Sequence, residues 1–284
     1  MQGVKMEKEY QMTISRTTID KLGIKLYDSP SAVVSELIAN SYDADAETVH
    51  ITIPLDKWLA TKQEGKLVDR GYEITITDTG HGMTPSVIND FYLKIGTDPR
   101  KDVRRGPYSL EKKRPRMGRK GIGKLAPFGI CKKIEVITAG GPKDAKKFEV
   151  AHFILDYEMI NQESDQCYFP LLGSQNHTFT DKRGTTIRLF DFLFRRTPDA
   201  DTFLRQVSRR FGLEQADFKI TVTDSSTDRT YLIKDLVVDV DEETKIPLNH
   251  RPVILADGTE MPVRGWVAYA KEPYSNSDMA GIRM

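Results

Sequence analysis

The chain has 284 residues, with 42 Lys plus Arg against 41 Asp plus Glu, and this near-zero net charge of +1 gives no global case for nucleic acid or an acidic substrate. Its two cysteines, Cys131 and Cys167, lie far apart with no CxxC and no His at ligand spacing, which argues against a disulfide framework or a zinc site and fits a reducing compartment. No apolar run approaches the roughly 20 residues that span a bilayer, and "MQGVKMEKEYQM" has no signal-peptide core, so the expectation is a cytoplasmic protein, nuclear if eukaryotic, with no membrane partner.

In chain order, Ser29 followed by Pro30 makes a helix start, and the spacing predicts a helix to about Tyr42 whose apolar side holds Val33, Val34, Leu37 and Ile38. On the same helix Glu36, Asn40 and Asp43 recur at the four-then-three spacing of one face, so a polar stripe runs along an otherwise amphipathic element. "ETVHITIPL" and "YEITITD" alternate apolar residues and read as two strands of one sheet, with a polar, looped insertion near residues 57–70 between them. A helix from Thr84 to about Ile95 precedes a charged stretch, 96–120, that is too long for an ordinary connection and reads as a lid. "GIGKLAPFGI" opens another helix, and "KKIEVITAG", "KKFEVAHFIL" and "GTTIRLFDF" supply further strands. From about residue 196 a helix, "DADTFLRQVSRRFG", and strands around "FKITVTD" and "GWVAYAKE" read as the start of a second α/β domain. The expected division is therefore 1–195 and 196–284, and the ending "AGIRM" reads as a piece of a longer protein.

Four groups of residues carry chemistry. The stripe is the first. The second is "DTGHGM": Asp78 continues the phase of Ile74 and Ile76, so its carboxylate points to the apolar side of the sheet and needs a donor, either from a turn built by Gly80 and Gly82 or from a ligand amino group. In the third, "GRKGIGKLA", Gly118, Gly121 and Gly123 lead into a helix start whose exposed amides suit an anion, and Lys124 adds a point charge, although the spacing is neither that of a P-loop nor that of a dinucleotide fingerprint. In the fourth, "GTTIRL", Thr185 is in phase with Ile187 and Leu189.

The order E-x-x-x-N-x-x-D-A, D-T-G-x-G-M, G-x-G-K and G-T resembles the GHKL superfamily of ATP-binding modules, found in gyrase, the large heat-shock chaperone, histidine kinases and MutL. "ELIANSYDADA" and the lysine after the second glycine box look most like the MutL and microrchidia branch with its bacterial relatives. The resemblance implies an α+β fold, a two-layer α/β sandwich of the Bergerat type, followed by a transducer-like domain. It implies ATP and Mg²⁺ as cofactors, with Glu36 as the base that activates water and Asn40 as the Mg²⁺ ligand. Asp43 would orient the pocket, and Asp78 would accept from the adenine amino group. Gly80, Gly82, Met83 and Thr185 would line the adenine site, and Gly121, Ile122, Gly123 and Lys124 would hold phosphate. Relatives close the lid on nucleotide and dimerise through their N-terminal segment, here about 1–18, and complete the site with a second-domain lysine, for which Lys271 is a candidate. The lid, rich in Lys and Arg against Asp98, Asp102 and Glu111, reads first as a solvated loop that samples many conformations without nucleotide, and secondly as a phosphate or DNA contact that forms when the lid closes. His81, His152 and Cys131 receive no role. A nucleotide-gated, self-associating ATPase in a DNA-associated or defence-related machine is thus expected ahead of a chaperone-type ATPase. A histidine kinase ranks below both, because the segment before Glu36 holds no histidine.

Overall fold

The computed structural model describes residues 27–94, 106–118, 123–162, 167–211, 217–233, 240–248, 251–254, 258, 260–263 and 265–271. The expectations for the segment 1–18, for both ends of the lid and for Gly121 and Ile122 lie outside these residues. The chain divides into two compact units, Met1–Asp235 and Leu236–Met284.

In the first unit α1 spans Pro30–Asp43, and its start is made as the sequence dictates: the Ser29 hydroxyl accepts from the Ala32 amide at 3.3 Å and Pro30 occupies the first turn. Strand β1 (Thr48–Ile53) follows, then β2 (Ala60–Gln63), β3 (Lys66–Asp69) and β4 (Ile74–Asp78). The insertion expected to be a loop is therefore a β2–β3 hairpin. Its turn residues Glu64 and Gly65 both have positive φ, 49° and 79°, the geometry that matches the twist of two paired strands. Helix α2 (Pro85–Val87) continues as a π turn over Ile88–Tyr92. A 3₁₀ segment, Gly123–Gly129, stands where an α-helix was expected, with Pro127 inside it and unable to donate to a helical ladder.

Strands β5 (Cys131–Ala139) and β6 (Phe148–Asp156) come next, then α3 (Tyr157–Ile160), β7 (Leu171–Leu172), β8 (Phe179–Thr180) and β9 (Gly184–Phe192). Helix α4 (Ala200–Phe211) and strands β10 (Lys219–Asp224) and β11 (Arg229–Leu232) complete the unit. The main sheet runs β11-β10-β1-β4-β9-β5-β6-β7, with β8 paired to β6. Its register lines up Val222, Ile51, Ile76, Ile187, Val136 and Phe153 in one row across six strands. These residues form one core with Val33, Leu37 and Ile38 of α1 and Phe203 and Val207 of α4. An α+β fold with a large sheet packed by helices is thus what the alternating strands and the amphipathic helices build.

The boundary expected at 195/196 falls inside this unit. β10 pairs in parallel with β1 from Thr48↔Lys219 to Ile53↔Asp224, and α4 buries Phe203, Val207 and Phe211 in the common core. A shift in local composition does not reveal a parallel pairing across so long a separation, so the division lies between Asp235 and Leu236. In the second unit β12 (Ile246–Pro247) pairs with β15 (Trp266–Val267), and β13 (Arg251–Ile254) with β14 (Glu260–Val263), all antiparallel. No helix among the described residues is long and apolar enough to cross a membrane.

Candidate functional site

The apolar rows of the sheet give way to a polar one at one end. One rung beyond Ile51, Ile76, Ile187 and Val136 stand Val49, Asp78, Thr185 and Thr138, on the same face because strand side chains alternate with period two. Asp78 is held there by three donors: Gly80 N–H at 2.9 Å and Thr185 N–H at 3.2 Å on Oδ1, and the Ser41 hydroxyl at 2.9 Å on Oδ2. Burial pushes its carboxyl above the usual range, and the three hydrogen bonds pull part of the way back. A carboxylate offers about four acceptor positions, so about one remains, on Oδ2. The Thr138 hydroxyl meets Thr185 Oγ1 at 2.9 Å and accepts from the Met83 amide at 3.0 Å, which fixes the turn after Asp78. Gly82 has φ +60°, and a Cβ there would strike the Ala139 carbonyl. Asp78 caps its own turn and also lines a cavity.

That cavity has a volume of about 370 Å³ and is bounded by α1, β4, the turn through Met83, α2 and the end of the charged stretch. Glu36, Asn40 and Asp43 line it together with Asp78, Gly82, Met83, Gly123, Lys124 and Thr185. The stripe on α1 therefore faces a cleft, while the apolar side of the same helix faces the sheet. Asn40 is exposed. Glu36 Oε1 pairs with Arg210 Nη2 of α4 at 2.6 Å, and its Oε2 faces Gly123, where a Cβ would stand 2.9 Å away. Asp43 turns both oxygens on the charged stretch, accepting from Met117 N–H at 2.8 Å and Gly118 N–H at 2.9 Å. The Lys124 ammonium donates to the Phe91 and Lys94 carbonyls at the end of the π turn. No group of three or more His, Cys, Asp or Glu side chains able to hold a metal occurs among the described residues.

The described part of the expected lid, 106–118, is pinned. Asp45, with φ 61° just past the end of α1, accepts from the Glu111 and Lys112 amides at 2.7 and 3.1 Å. Burial would raise its carboxyl, but the Ser109 hydroxyl and these two amides hold it below the usual range. Arg114 is buried, donating to Ala46 O at 2.8 Å and Asp217 Oδ2 at 2.7 Å, with its guanidinium 4.7 Å from the Tyr42 ring centre. A free solvated loop is thus not what these thirteen residues form, because Lys112 and Arg114 are engaged with Asp217, Arg116 reaches the Asp43 carbonyl, and Glu111 pairs with Arg183. Arg116 also lines the cavity, and its buried Nη2 has no hydrogen-bond partner among the described residues.

Ser41, Asp45, Arg116 and Arg210 were not singled out by sequence. Ser41 lies one turn beyond Leu37 on the buried side of α1 and was visible as a buried polar position once the helix was phased, whereas Asp45, just past the end of the helix with φ 61°, is not placed by that phase. Arg210 had no local signal. His81 bonds the Gly82 carbonyl at 2.7 Å, His152 pairs with buried Glu135 at 2.9 Å, Cys131 is a core residue, and Lys271 lies in the second unit.

The model of the family described as "Histidine kinase-, DNA gyrase B-, and HSP90-like ATPase" matches residues 27–185. A Herpetosiphon aurantiacus protein named "Putative type II restriction enzyme HgiDII" is 28% identical over 282 residues, which are 93% of this chain and 42% of that protein. The chaperone protein HtpG of Ruthia magnifica subsp. Calyptogena magnifica is 27% identical over 146 residues, 49% of this chain and 23% of the relative. The chain thus spans less than half the length of either relative. A crystal structure of the N-terminal domain of a DNA repair protein overlaps 78% of this chain and 55% of its own, with a TM-score of 0.42 and 19% identity. The family match covers more than half of the chain, from Tyr27 to Thr185, and ends on the row that carries Asp78 and Thr138: the chain belongs to the family of histidine kinase-, DNA gyrase B- and HSP90-like ATPases.

Proposed function

We propose that the chain binds ATP with Mg²⁺ in the cavity between α1 and the sheet and hydrolyses it, as the nucleotide-gated part of a larger machine. The observation that carries the reading is Asp78: a carboxylate fixed by three donors, with an acceptor position left on Oδ2, at the edge of a cavity within the range of about 300–1,000 Å³ usual for small-molecule sites. That position suits the adenine amino group, with Met83, Gly82 and Thr185 around the ring. The buried Arg116 Nη2, without a partner among the described residues, fits a ligand oxygen that would accept from it.

At the other end Gly123 leaves the backbone open beside Glu36, and the amides of Gly121, Ile122 and Gly123 with Lys124 are suited to a triphosphate. Asn40 would hold Mg²⁺ through its side-chain oxygen, and a single protein ligand is enough for an ion that keeps several waters and takes phosphate oxygens. The bound ion would offset charge on the β- and γ-phosphates. Glu36 Oε2 would take a proton from water as its oxygen bonds the γ-phosphorus and the bond to the β,γ-bridging oxygen breaks, giving ADP and phosphate. In Glu36→Ala, ATP binding should persist while hydrolysis falls roughly 10²-fold, the scale of a positioned base. Joint loss of binding and turnover, or turnover at the wild-type rate, would assign the role elsewhere.

The wider setting follows from the same reading. Of the two curated relatives, the one described as a restriction enzyme matches 93% of the chain, α4 and the second unit included, and this supports a DNA-associated or defence-related machine of MutL or microrchidia type. The match to HtpG reaches 49% and supports a chaperone-type ATPase as the second reading. Nucleotide binding would drive homodimerisation through the segment 1–18, tested by light scattering with and without a non-hydrolysable ATP analogue; an unchanged mass would reject that coupling and leave the ATP site standing. DNA contact through the charged stretch is less favoured, since Lys112 and Arg114 are engaged with Asp217. A cytoplasmic location accords with the two free cysteines.

A further inference from the structure

Arg210 is a residue that neither the motifs nor the family match reaches. It lies on α4, beyond residue 185, yet it lines the cavity and makes a 2.6 Å ion pair with Glu36, 174 residues earlier in the chain. Two features separate this contact from an incidental surface pair. The first is which oxygen it takes: Arg210 occupies Oε1, so the other oxygen, Oε2, is the one turned to Gly123, where the backbone has no Cβ to block it. The second is that α4 does not need the pair to stay in place. Phe203, Val207 and Phe211 bury its apolar side, whereas the Arg210 side chain is 44% exposed, and pairs so exposed contribute little to folding. Tyr27 lines the same cavity beside Glu36, and burial together with the nearby Glu36 carboxylate pushes its hydroxyl above the ordinary value. A glutamate has three side-chain torsions, and an unbraced one on an open helix face would populate several orientations.

We propose that Arg210 is a positioning residue for hydrolysis: by holding Glu36 Oε1 it keeps Oε2 aimed at the glycine turn, and it makes the rate of water attack depend on where α4 sits. The inference rests on the reading of Glu36 as general base. Any movement of α4 along its contact with α1 would shift the guanidinium and with it the carboxylate, so turnover is coupled to the element that leads into β10. Arg210 acts through Glu36 and does not itself bind nucleotide.

The test is a double-mutant cycle on the whole chain, with steady-state ATP hydrolysis and the affinity of a fluorescent non-hydrolysable ATP analogue measured for wild type, Arg210→Ala, Arg210→Lys, Glu36→Ala and the Arg210→Ala/Glu36→Ala double variant. Arg210→Ala should lower kcat roughly tenfold or more while the analogue's affinity and KM stay within about threefold, and lysine should restore part of the rate. In the Glu36→Ala background, removal of Arg210 should have no further effect on the residual rate, because the two act as one unit. Retained analogue binding shows that each variant is folded. An unchanged kcat in Arg210→Ala, an equal loss in affinity and rate, or full additivity in the double variant would overturn the proposal. A wild-type chain that neither binds the analogue nor hydrolyses ATP would instead remove the reading of the site on which the proposal stands.

Discussion

The two ends of the cavity are built by different means. At the Asp78 end the polar groups are short side chains placed by strand register and held by backbone amides and hydroxyls: Asp78 by the Gly80 and Thr185 amides and the Ser41 hydroxyl, and Thr138 between the Met83 amide and the Thr185 hydroxyl. At the Glu36 end the charged groups sit on long side chains held by local partners, Glu36 by Arg210 and Lys124 by the carbonyls of Phe91 and Lys94. The first end is held in place by its own hydrogen bonds and, on the proposed reading, would take a rigid, flat group with little rearrangement. On the same reading Lys124 would give up the carbonyls of Phe91 and Lys94 to reach phosphate, while Glu36 would keep Arg210. Recognition and switching would then be separated along one pocket.

The rigid end should give the largest effect. Gly82→Val would force a β-branched residue to φ +60° and drive it into the Ala139 backbone, so thermal unfolding should show a loss of roughly 3 kcal/mol or more. A variant as stable as wild type would mean that this end adapts and is no more rigid than the Glu36 end.

The clamp on the charged stretch should give the next largest effect. Asp45→Asn leaves one amide without an acceptor, because an NH₂ group faces Glu111 or Lys112, and should cost about 2 kcal/mol. The folded-state carboxyl of Asp45 is held below its ordinary value, so its stabilising contribution is present above the unfolded value near pH 3.9 and is lost as pH falls through the lower folded one. The difference in unfolding free energy between wild type and Asp45→Asn should therefore shrink on acidification. A constant difference down to the acid transition would show that the carboxylate charge is not what anchors 106–118.

The switching end should respond in binding and not in stability. Lys124→Ala should weaken ATP by roughly tenfold, about 1.4 kcal/mol, since part of the gain on phosphate is offset by the carbonyls it leaves. Its melting temperature should stay within a few degrees of wild type. Loss of stability in place of affinity would make Lys124 a helix-end cap and no ligand to phosphate.

The rigid end was also the legible one. Period-two alternation alone put Asp78 and Thr185 on the inner face, because a strand has no freedom to turn one residue in a series. The four-three spacing put Glu36 and Asn40 on one helix face for a similar reason. What stayed hidden was every partner distant in sequence: Ser41 under Asp78, Arg114 reaching Asp217, Arg210 on Glu36 and β10 beside β1. None of these leaves a local pattern, and each depends on which elements the fold brings together. The length and charge of the stretch after α2 suggested a free loop for the same reason. The acceptors that bind 106–118, Asp43 and Asp45, belong to the end of another element.

Calorimetric titration of ATP with Mg²⁺ into wild type and Asp78→Asn tests the central claim most directly. Asparagine cannot meet Gly80 N–H, Thr185 N–H, the Ser41 hydroxyl and an adenine amino group at once, since its own NH₂ group accepts nothing. The account predicts one saturable site in the wild type and a loss of about 1–3 kcal/mol in the variant. Equal affinity in the two proteins, or no binding by the wild type, would contradict it.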